Sequence, residues 1–479
     1  MSALAENPLG TASFEDEVIA KVEAQGFFEP ERTLWVARAP GRLDVMGGNV
    51  DYTGGMVLQG LLREAVWVAV QPRSDETIRI LNPGAARFGW EPLLELTMAE
   101  VNDSAALRAW CEQRTGSRWG SYVLGAIHFL TKFYGRGADG GVDVFIASDL
   151  PPNKGVSSSA ALEVATLKAV SAAWGVSLQG VALATAGQWV ENIVAGAACG
   201  IMDQAAIVCG EENRLLPLLC QPCQVFSPIA LPAGIRIWGI DSMEARSTTS
   251  VAYERARAAA FMGYKLVCQS AGIEVIPEPG AKIPRWTDSR WKGYLSNLAA
   301  SEFRSRFERC LPESLSGREF LDRCGEHVDP FTTIDPKEEY PVRAAVRYAT
   351  EENLRVQMMF ALLGTSWSET SSSLRLAGEL LLQSHGAYAE CGLGSKDCDD
   401  LVARALDAGF DGAKMTGGGA GGVVAVLGRA GDQRAVEDLV REFAEERGEV
   451  PHLFEGSSAG VDATGVRRVQ IAAAKRARE

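Results

Sequence analysis

Apolar residues recur at helical spacing over residues 12–25, where Phe14, Val18, Ile19 and Val22 share a face and Gly26 ends the run. Strand-like runs follow at Leu34 to Ala37, in AVWVAV at 65–70, and over the alternating Thr77 to Leu81. The spacing turns helical from Tyr122 to Phe133. Val142, Val144 and Ile146 then alternate with Asp143 and Phe145, and the Asp149-Leu150-Pro151-Pro152 turn ends that strand. The pattern predicts helices over 157–173 and 178–195, strands over 215–219 and 235–240, and a long helix over 251–269. Residues 275–345, rich in Pro, Arg, Glu and aromatics, give a mixed pattern. Helical periodicity returns over 352–388, and a glycine cluster precedes a strand over 423–427. Pro222, Pro228 and Pro232 interrupt the pattern, which places a domain boundary near 225, with units 1–225 and 226–479. The basic tail, VRRVQIAAAKRARE, is expected to fray at its end.

Composition narrows the classes. A chain of 479 residues exceeds what one compact core usually spans, so two large domains are expected. The net charge of −14 argues against a nucleic-acid or anionic-membrane surface, but not against a local phosphate site. No basic stretch leads into an apolar run at the N-terminus, and no apolar segment reaches the ~20 residues of a membrane span. Of the ten cysteines only Cys220 and Cys223 have CxxC spacing; with four histidines in all, free thiols in a reducing cytoplasm are expected rather than a zinc site. The GxxxxGK[ST] loop, the HRD and DFG set, and a G-x-G-x-x-G run after the first strand are all missing.

Three segments carry candidate chemistry. DLPPNKGVSSSAALEVA (149–165) ends a strand, turns through Gly155 and opens a helix with Ser157, Ser158 and Ser159. That arrangement aims unpaired backbone N–H groups and a positive helix end at one place, where phosphate fits. The serines add hydroxyls, one of which could ligate Mg²⁺. A helix N-cap would explain one serine but not three after a Pro/Gly turn. ARAPGRLDVMGGNVDYTGG (37–55) sets Arg42, Asp44 and Asp51 among glycines; alone it reads as a decorated loop rather than a site. KMTGGGAGGVVAVL (414–427) is a glycine-rich turn that fits either a hairpin or a close approach to a ligand.

Together these motifs, with ACGIMDQ at 198–204, resemble the GHMP superfamily of small-molecule kinases, in its galactokinase branch. RAPGRLDVMGG (38–48), REA..VAVQ (63–71), ENLRVQ (352–357) and CGLGS (391–395) are further similar to the kinase portion of plant L-arabinokinases. The resemblance implies an α+β, two-lobed GHMP kinase fold: a ribosomal S5 domain 2-like N-terminal lobe, a ferredoxin-like C-terminal lobe, and the active site between them. It implies ATP and Mg²⁺ as cofactors and transfer of the γ-phosphate to the anomeric hydroxyl of a monosaccharide. Arg42 and Asp203 would flank that hydroxyl, with Asp203 taking its proton or orienting it. Asp51, Asn49, Gly48, Gly200 and Tyr253 would bind the sugar. Gly155, the three serines, Gly418 and Gly419 would line the nucleotide site, with Trp119 and Tyr122 near the base. Ser159 and Glu191 would hold the metal.

The chain departs from the branch in two places. Galactokinases read GEHTDY where this sequence has Gly47-Gly48-Asn49-Val50-Asp51-Tyr52. Their Glu reaches the exocyclic C6 hydroxyl, and its position here is Gly48, as a pentose site would require. The resemblance therefore implies L-arabinose as substrate, with D-galactose or a non-catalytic sugar sensor as alternatives. Asn153 stands where the family has Gly; Asn tolerates positive φ, so the turn is expected to survive.

Overall fold

A computed structural model describes residues 26–136, 140–244, 251–280, 283–365, 367 and 372–471. The helix expected over 12–25 and the last residues of the tail lie outside them.

In the first half, β1 (Thr33–Met46) and β2 (Met56–Pro72) form a long antiparallel hairpin. Next come β3 (Thr77–Leu81), β4 (Leu93–Thr97), α1 (Ser104–Glu112), α2 (Gly120–Tyr134) and β5 (Val142–Ser148). They are followed by α3 (Ser158–Ala173), α4 (Gly180–Trp189), a π-helical turn over Val190–Ala195, α5 (Met202–Cys209) and β6 (Arg214–Leu219). The second half contains β7 (Ile235–Asp241), α6 (Val251–Ser270), α7 (Val342–Leu363), α8 (Ser372–Glu390) and α9 (Lys396–Asp407). It closes with β8 (Gly412–Met415), β9 (Val423–Arg429), α10 (Gln433–Arg447), β10 (Leu453–Phe454) and β11 (Val466–Gln470).

Two sheets organise these elements. The first runs β11-β1-β2-β5-β3-β4, with β6 pairing the front half of β2. The second is an antiparallel β8-β9-β7-β10 sheet. The expected α+β class is what the structure shows. The boundary placed near 225 falls between β6 and β7, but the chain crosses back at its end: β11, from within the basic tail, pairs with β1 from Thr33↔Gln470 to Ala37↔Val466.

Several expected elements change length for identifiable reasons. Strand β1 extends through the PGR motif to Met46, bulged between Pro40 and Arg42 and again between Asp44 and Met46. Proline and glycine imitate a loop here, and the bulges let the ladder continue around them. The helix expected over 178–195 ends at Trp189 and turns π-helical. The periodicity over 352–388 belongs to two helices, α7 and α8, of which α7 starts ten residues earlier. Helix α3 is buried nearly all round; its small Ala160, Ala161, Ala165 and Ala169 let it pass close to β1 and β2.

The mixed segment 275–345 wraps α6 and α7 in a core of its own, built on Trp291, Phe303, Phe307, Phe320 and Tyr340. No helix among the described residues is long and apolar enough to cross a membrane.

Helix α8 lies directly on β8. A Cβ on Gly378 would sit 1.8 Å from the Asp411 carbonyl oxygen, whereas one on Gly386 of the same helix would meet nothing within 4 Å. Gly378→Ala is expected to cost about 1–3 kcal/mol or more by overpacking, and Gly386→Ala to gain up to about 1 kcal/mol of helix propensity. Denaturant unfolding of the two variants checks the pair.

Candidate active site

The PGR segment and the serine-opened helix meet at one guanidinium. Arg42, at 1% exposure, donates from Nε to Asp203 Oδ1 at 2.8 Å and from Nη1 to the Gly155 carbonyl at 2.6 Å. Its Nη2 also lies 2.8 Å from Asp203 Oδ1. The Ser157 hydroxyl donates to the other carboxylate oxygen, Oδ2. Strand β1, the 149–157 loop and the start of α5 therefore converge on two side chains 161 positions apart in the chain.

The loop has an unusual backbone. Asn153, Gly155 and Ser157 all take positive φ, at 60°, 74° and 61°. Asn153 thus adopts the conformation anticipated for it. Ser157 corrects a simple capping picture: its side chain makes no bond to the helix end and goes to Asp203. A serine held left-handed is strained, and such strain persists where surrounding contacts over-determine it. Lys154 ties the loop to the second sheet through Asp241 at 2.9 Å.

A cavity of about 520 Å³ lies over this loop. Gly155, Ser157, Ser158, Ser159 and Asp203 line it, as do the aromatic residues Trp119, Tyr122, Phe88 and Trp90. The rings of Phe88 and Trp90 stand 5.0 Å apart, and Phe88 is half exposed. Sequence reading missed this pair; an exposed aromatic beside a second one in RFGW was the available signal.

Carboxyl groups crowd behind the serines. Glu191, placed by the π-helical turn, accepts from the Ser159 hydroxyl at 3.0 Å and from Gln204 Nε2 at 2.7 Å. The same Gln204 nitrogen donates to Glu163 Oε1 at 2.7 Å. Burial, and then the charge of Asp203, push Glu191 up to about 7. Burial and the Glu191 charge hold Glu163 well above the ordinary carboxylate range. Among the described residues, no group of three or more His, Cys, Asp or Glu side chains is placed to hold a metal ion.

The expected sugar residues divide. Asp51 sits against Gly200, where a Cβ would lie 2.0 Å from Asp51 Oδ2, and burial followed by the Asp203 charge raises Asp51 to about 6. Asn49, left-handed at φ 62° and 4% exposed, leaves both side-chain amide atoms without a partner. Tyr253 packs edge-to-face on Tyr52 at 6.1 Å. Asp51 and Gly200 line a second cavity, of about 130 Å³.

Gly48, Asn49, Tyr253, Gly418 and Gly419 line neither cavity. A Cβ on Gly48 would meet Tyr388 Oη at 2.1 Å and the Gly417 carbonyl at 2.3 Å. Its own carbonyl accepts from Tyr348 Oη at 2.6 Å. The third motif packs the same way: a Cβ on Gly419 would touch Leu393, and one on Gly422 would lie 2.7 Å from the Lys154 carbonyl oxygen. This glycine cluster packs against the 149–157 loop, where the close backbone approach leaves no room for a Cβ at Gly422.

The architecture is that of a small-molecule kinase fold. The crystal structure of Lactococcus lactis galactokinase complexed with galactose matches it with a TM-score of 0.72 at 21% identity, covering 95% of this chain and 100% of that one. Methanococcus jannaschii mevalonate kinase matches with a TM-score of 0.56 at 13% identity, covering 89% and 98%. The GHMP kinases N terminal domain model matches residues 121–211, and the galactokinase galactose-binding signature matches residues 25–72. The L-arabinokinase of Arabidopsis thaliana is 34% identical across 93% of this chain and 48% of its own, so the chain spans about half the length of that relative. A galactokinase of Streptomyces coelicolor is 29% identical across 92% of this chain and 95% of its own. Residues 121–211 thus carry the likeness to a GHMP kinase N-terminal domain and residues 25–72 the likeness to a galactokinase galactose-binding signature, on a fold shared with galactokinase.

Asp51 generates a pH prediction. Its carboxyl ionises near 3.8 when unfolded and near 6 when folded, so the neutral form's contribution is complete below 3.8 and is lost as pH rises through 6. Asp51→Asn removes that loss. Because the residue keeps partial exposure, the variant is expected to be more stable than the parent by about 2 kcal/mol above pH 6 and equal to it near pH 3.5. Denaturant midpoints across that range check the sign.

Proposed function

We propose that this protein is an ATP-dependent sugar 1-kinase that phosphorylates the anomeric hydroxyl of L-arabinose. The observation that carries the reading is the Arg42–Asp203 pair, set at the edge of a large cavity beside a serine-opened helix. In this scheme the aromatic end of the cavity takes the adenine of ATP. The phosphates lie over the N–H groups of the 153–159 segment at the positive end of α3.

The sugar sits between Asp203 and Asp51, with Gly200 as a wall and Tyr253 packed behind Tyr52. Arg42 and Ser157 each occupy a lone pair on the Asp203 carboxylate, one on each oxygen, which leaves a further lone pair per oxygen for the substrate hydroxyl. Asp203 orients that hydroxyl for in-line attack and receives its proton as the O–P bond forms. As that bond forms, the bond from the γ-phosphorus to the bridging oxygen breaks, and its electron pair stays on ADP. Arg42 balances the charge gathered there.

Ser159 and Glu191 have the chemistry for Mg²⁺, a hydroxyl and a buried carboxylate beside the phosphate path; this ion usually takes one or two carboxylates and completes its shell with water and phosphate. Bound there, it would neutralise charge on the phosphate oxygens.

The pentose choice rests on position 48. No side chain can extend from Gly48, because Tyr388 and Gly417 fill that direction. An acceptor for an exocyclic hydroxyl cannot come from there. The match of residues 25–72 to a galactose-binding signature favours D-galactose as the second reading. A cytoplasmic setting suits the ten cysteines, all of them free.

Asp203→Asn is expected to lower kcat about 10²–10⁴-fold while a fluorescent ATP analogue still binds; near-normal turnover would remove Asp203 from the chemistry. In a sugar panel with ATP and Mg²⁺, kcat/KM for L-arabinose should exceed that for D-galactose by about tenfold or more. A galactose preference would overturn the pentose assignment and leave the kinase reading standing.

A further inference from the structure

One buried cation beside the Asp51–Tyr52 turn has no task in the phosphoryl-transfer scheme. Arg257, on α6, is 3% exposed and lines the cavity that also holds Asp51 and Gly200. Its Nε and Nη2 donate to the two carboxylate oxygens of Asp329 at 2.8 and 2.9 Å. The central carbon of its guanidinium lies 4.9 Å from the Tyr52 ring centre and 5.7 Å from those of Phe261 and Phe331. One helical turn earlier, Tyr253 packs on the same Tyr52 ring, so α6 grips the Asp-Tyr turn with two side chains.

The third nitrogen of this group, Nη1, is buried and has no hydrogen-bond partner. A guanidinium bound through its Nε and Nη2 edge presents Nη1 on the other side, away from the carboxylate. Leaving a buried donor unmade costs more than a formed bond returns, so an orphan on a side chain this firmly held marks the place of a ligand atom. Arg285 Nη1 and Tyr294 Oη, on residues lining the same cavity, also lack partners. Those two side chains are partly exposed and can turn to water. Arg257, fixed by a carboxylate and three rings, cannot.

Charge selects the kind of atom that Nη1 meets. Asp329 already balances the Arg257 charge, so a further anion gains little, whereas a neutral hydroxyl oxygen needs only a donor. Asp51, on the same cavity wall, offers an acceptor for the hydrogen of such a hydroxyl. The two groups already feel each other: burial and the Asp203 charge raise Asp51, and the Arg257 charge opposes them. We propose that Arg257 is a specificity-determining residue of the sugar site: its Nη1 donates to one hydroxyl, other than the anomeric one, of the sugar that is phosphorylated, and Asp51 accepts the hydrogen of that hydroxyl. The inference deepens the sugar-kinase reading and rests on it. It moves part of the sugar choice from position 48, which is packed against Tyr388 and Gly417, to α6 and the 328–331 stretch that holds Arg257 in place.

Steady-state kinetics of the full chain with its preferred sugar and each monodeoxy analogue of it test the contact. Parent kcat/KM is expected to fall about 10²-fold or more for one analogue. Two variants remove the donor: Arg257→Lys, which keeps a cation opposite Asp329, and Arg257→Met combined with Asp329→Leu, which leaves no buried charge unpaired. In both, the full sugar should lose a similar factor while that analogue reacts nearly as in the parent, so the gap closes; KM for ATP should stay within about twofold. An equal loss for every sugar and analogue, a gap that survives in both variants, or a parent indifferent to every deoxygenation would overturn the contact. Equilibrium dialysis with ADP and radiolabelled L-arabinose or D-galactose separates the two readings. A parent that binds sugar but phosphorylates none, with weaker binding in Arg257→Lys, removes the kinase reading and keeps the contact. Turnover in the parent with equal sugar binding in parent and variants removes the contact and keeps the kinase.

Discussion

A buried guanidinium holds the centre of this molecule together. Arg42 must be paired, because an uncompensated charge at 1% exposure costs several kcal/mol. Its partners come from two other places, the Gly155 carbonyl and the Asp203 carboxylate. Satisfying Arg42 therefore fixes the 149–157 loop and the start of α5 against β1. The left-handed backbone at Asn153, Gly155 and Ser157 is the local consequence, and the Ser157 hydroxyl completes the carboxylate's shell.

A second buried polar group joins the two sheets. Asp44, fully buried, accepts from Gln59 at 2.7 Å and from the Gly48 and Gly417 backbone nitrogens at 3.1 Å, and lies 3.3 Å from Lys414 Nζ. This hub draws the glycine cluster of the second half onto the first motif and sets Gly48 against Tyr388. The same contact that assembles the halves removes any side chain from position 48. In the proposed function, assembly and substrate choice thus share one cause.

The carboxyls around the site make the opposite contribution. Asp51, Glu163 and Glu191 are all held above their ordinary range, first by burial and then by neighbouring negative charge. Such groups weaken the fold near neutral pH and are kept where ligands use them. The mixed segment 275–345 adds its own aromatic core around α6 and α7 and walls the second cavity. It is a structural unit with a concave face, not a linker.

Elements with strong periodicity were legible in the chain itself. The strands at 77–81, 142–148 and 235–241 and the helices at 158–173 and 251–270 fall within a residue or two of the pattern, because the apolar surface of each must leave water. Arg42, Asp203, the serines, Asp51 and Glu191 were singled out from their motifs; contacts link Arg42 and Ser157 to Asp203, and Ser159 to Glu191, while Asp51 lines the second cavity. Beyond that reach lay the run of β1 through Pro40 and Gly41, the aromatic pair Phe88 and Trp90, the unpartnered donors of Arg257, Arg285 and Tyr294, and the burial of Gly48 and Gly419. Local sequence determines which residues want to be helical, extended or solvated, since those preferences act over a few neighbours. Which polar atoms find partners, and which glycines face a cavity rather than another backbone, depends on contacts between segments hundreds of residues apart. Only the packed chain decides those.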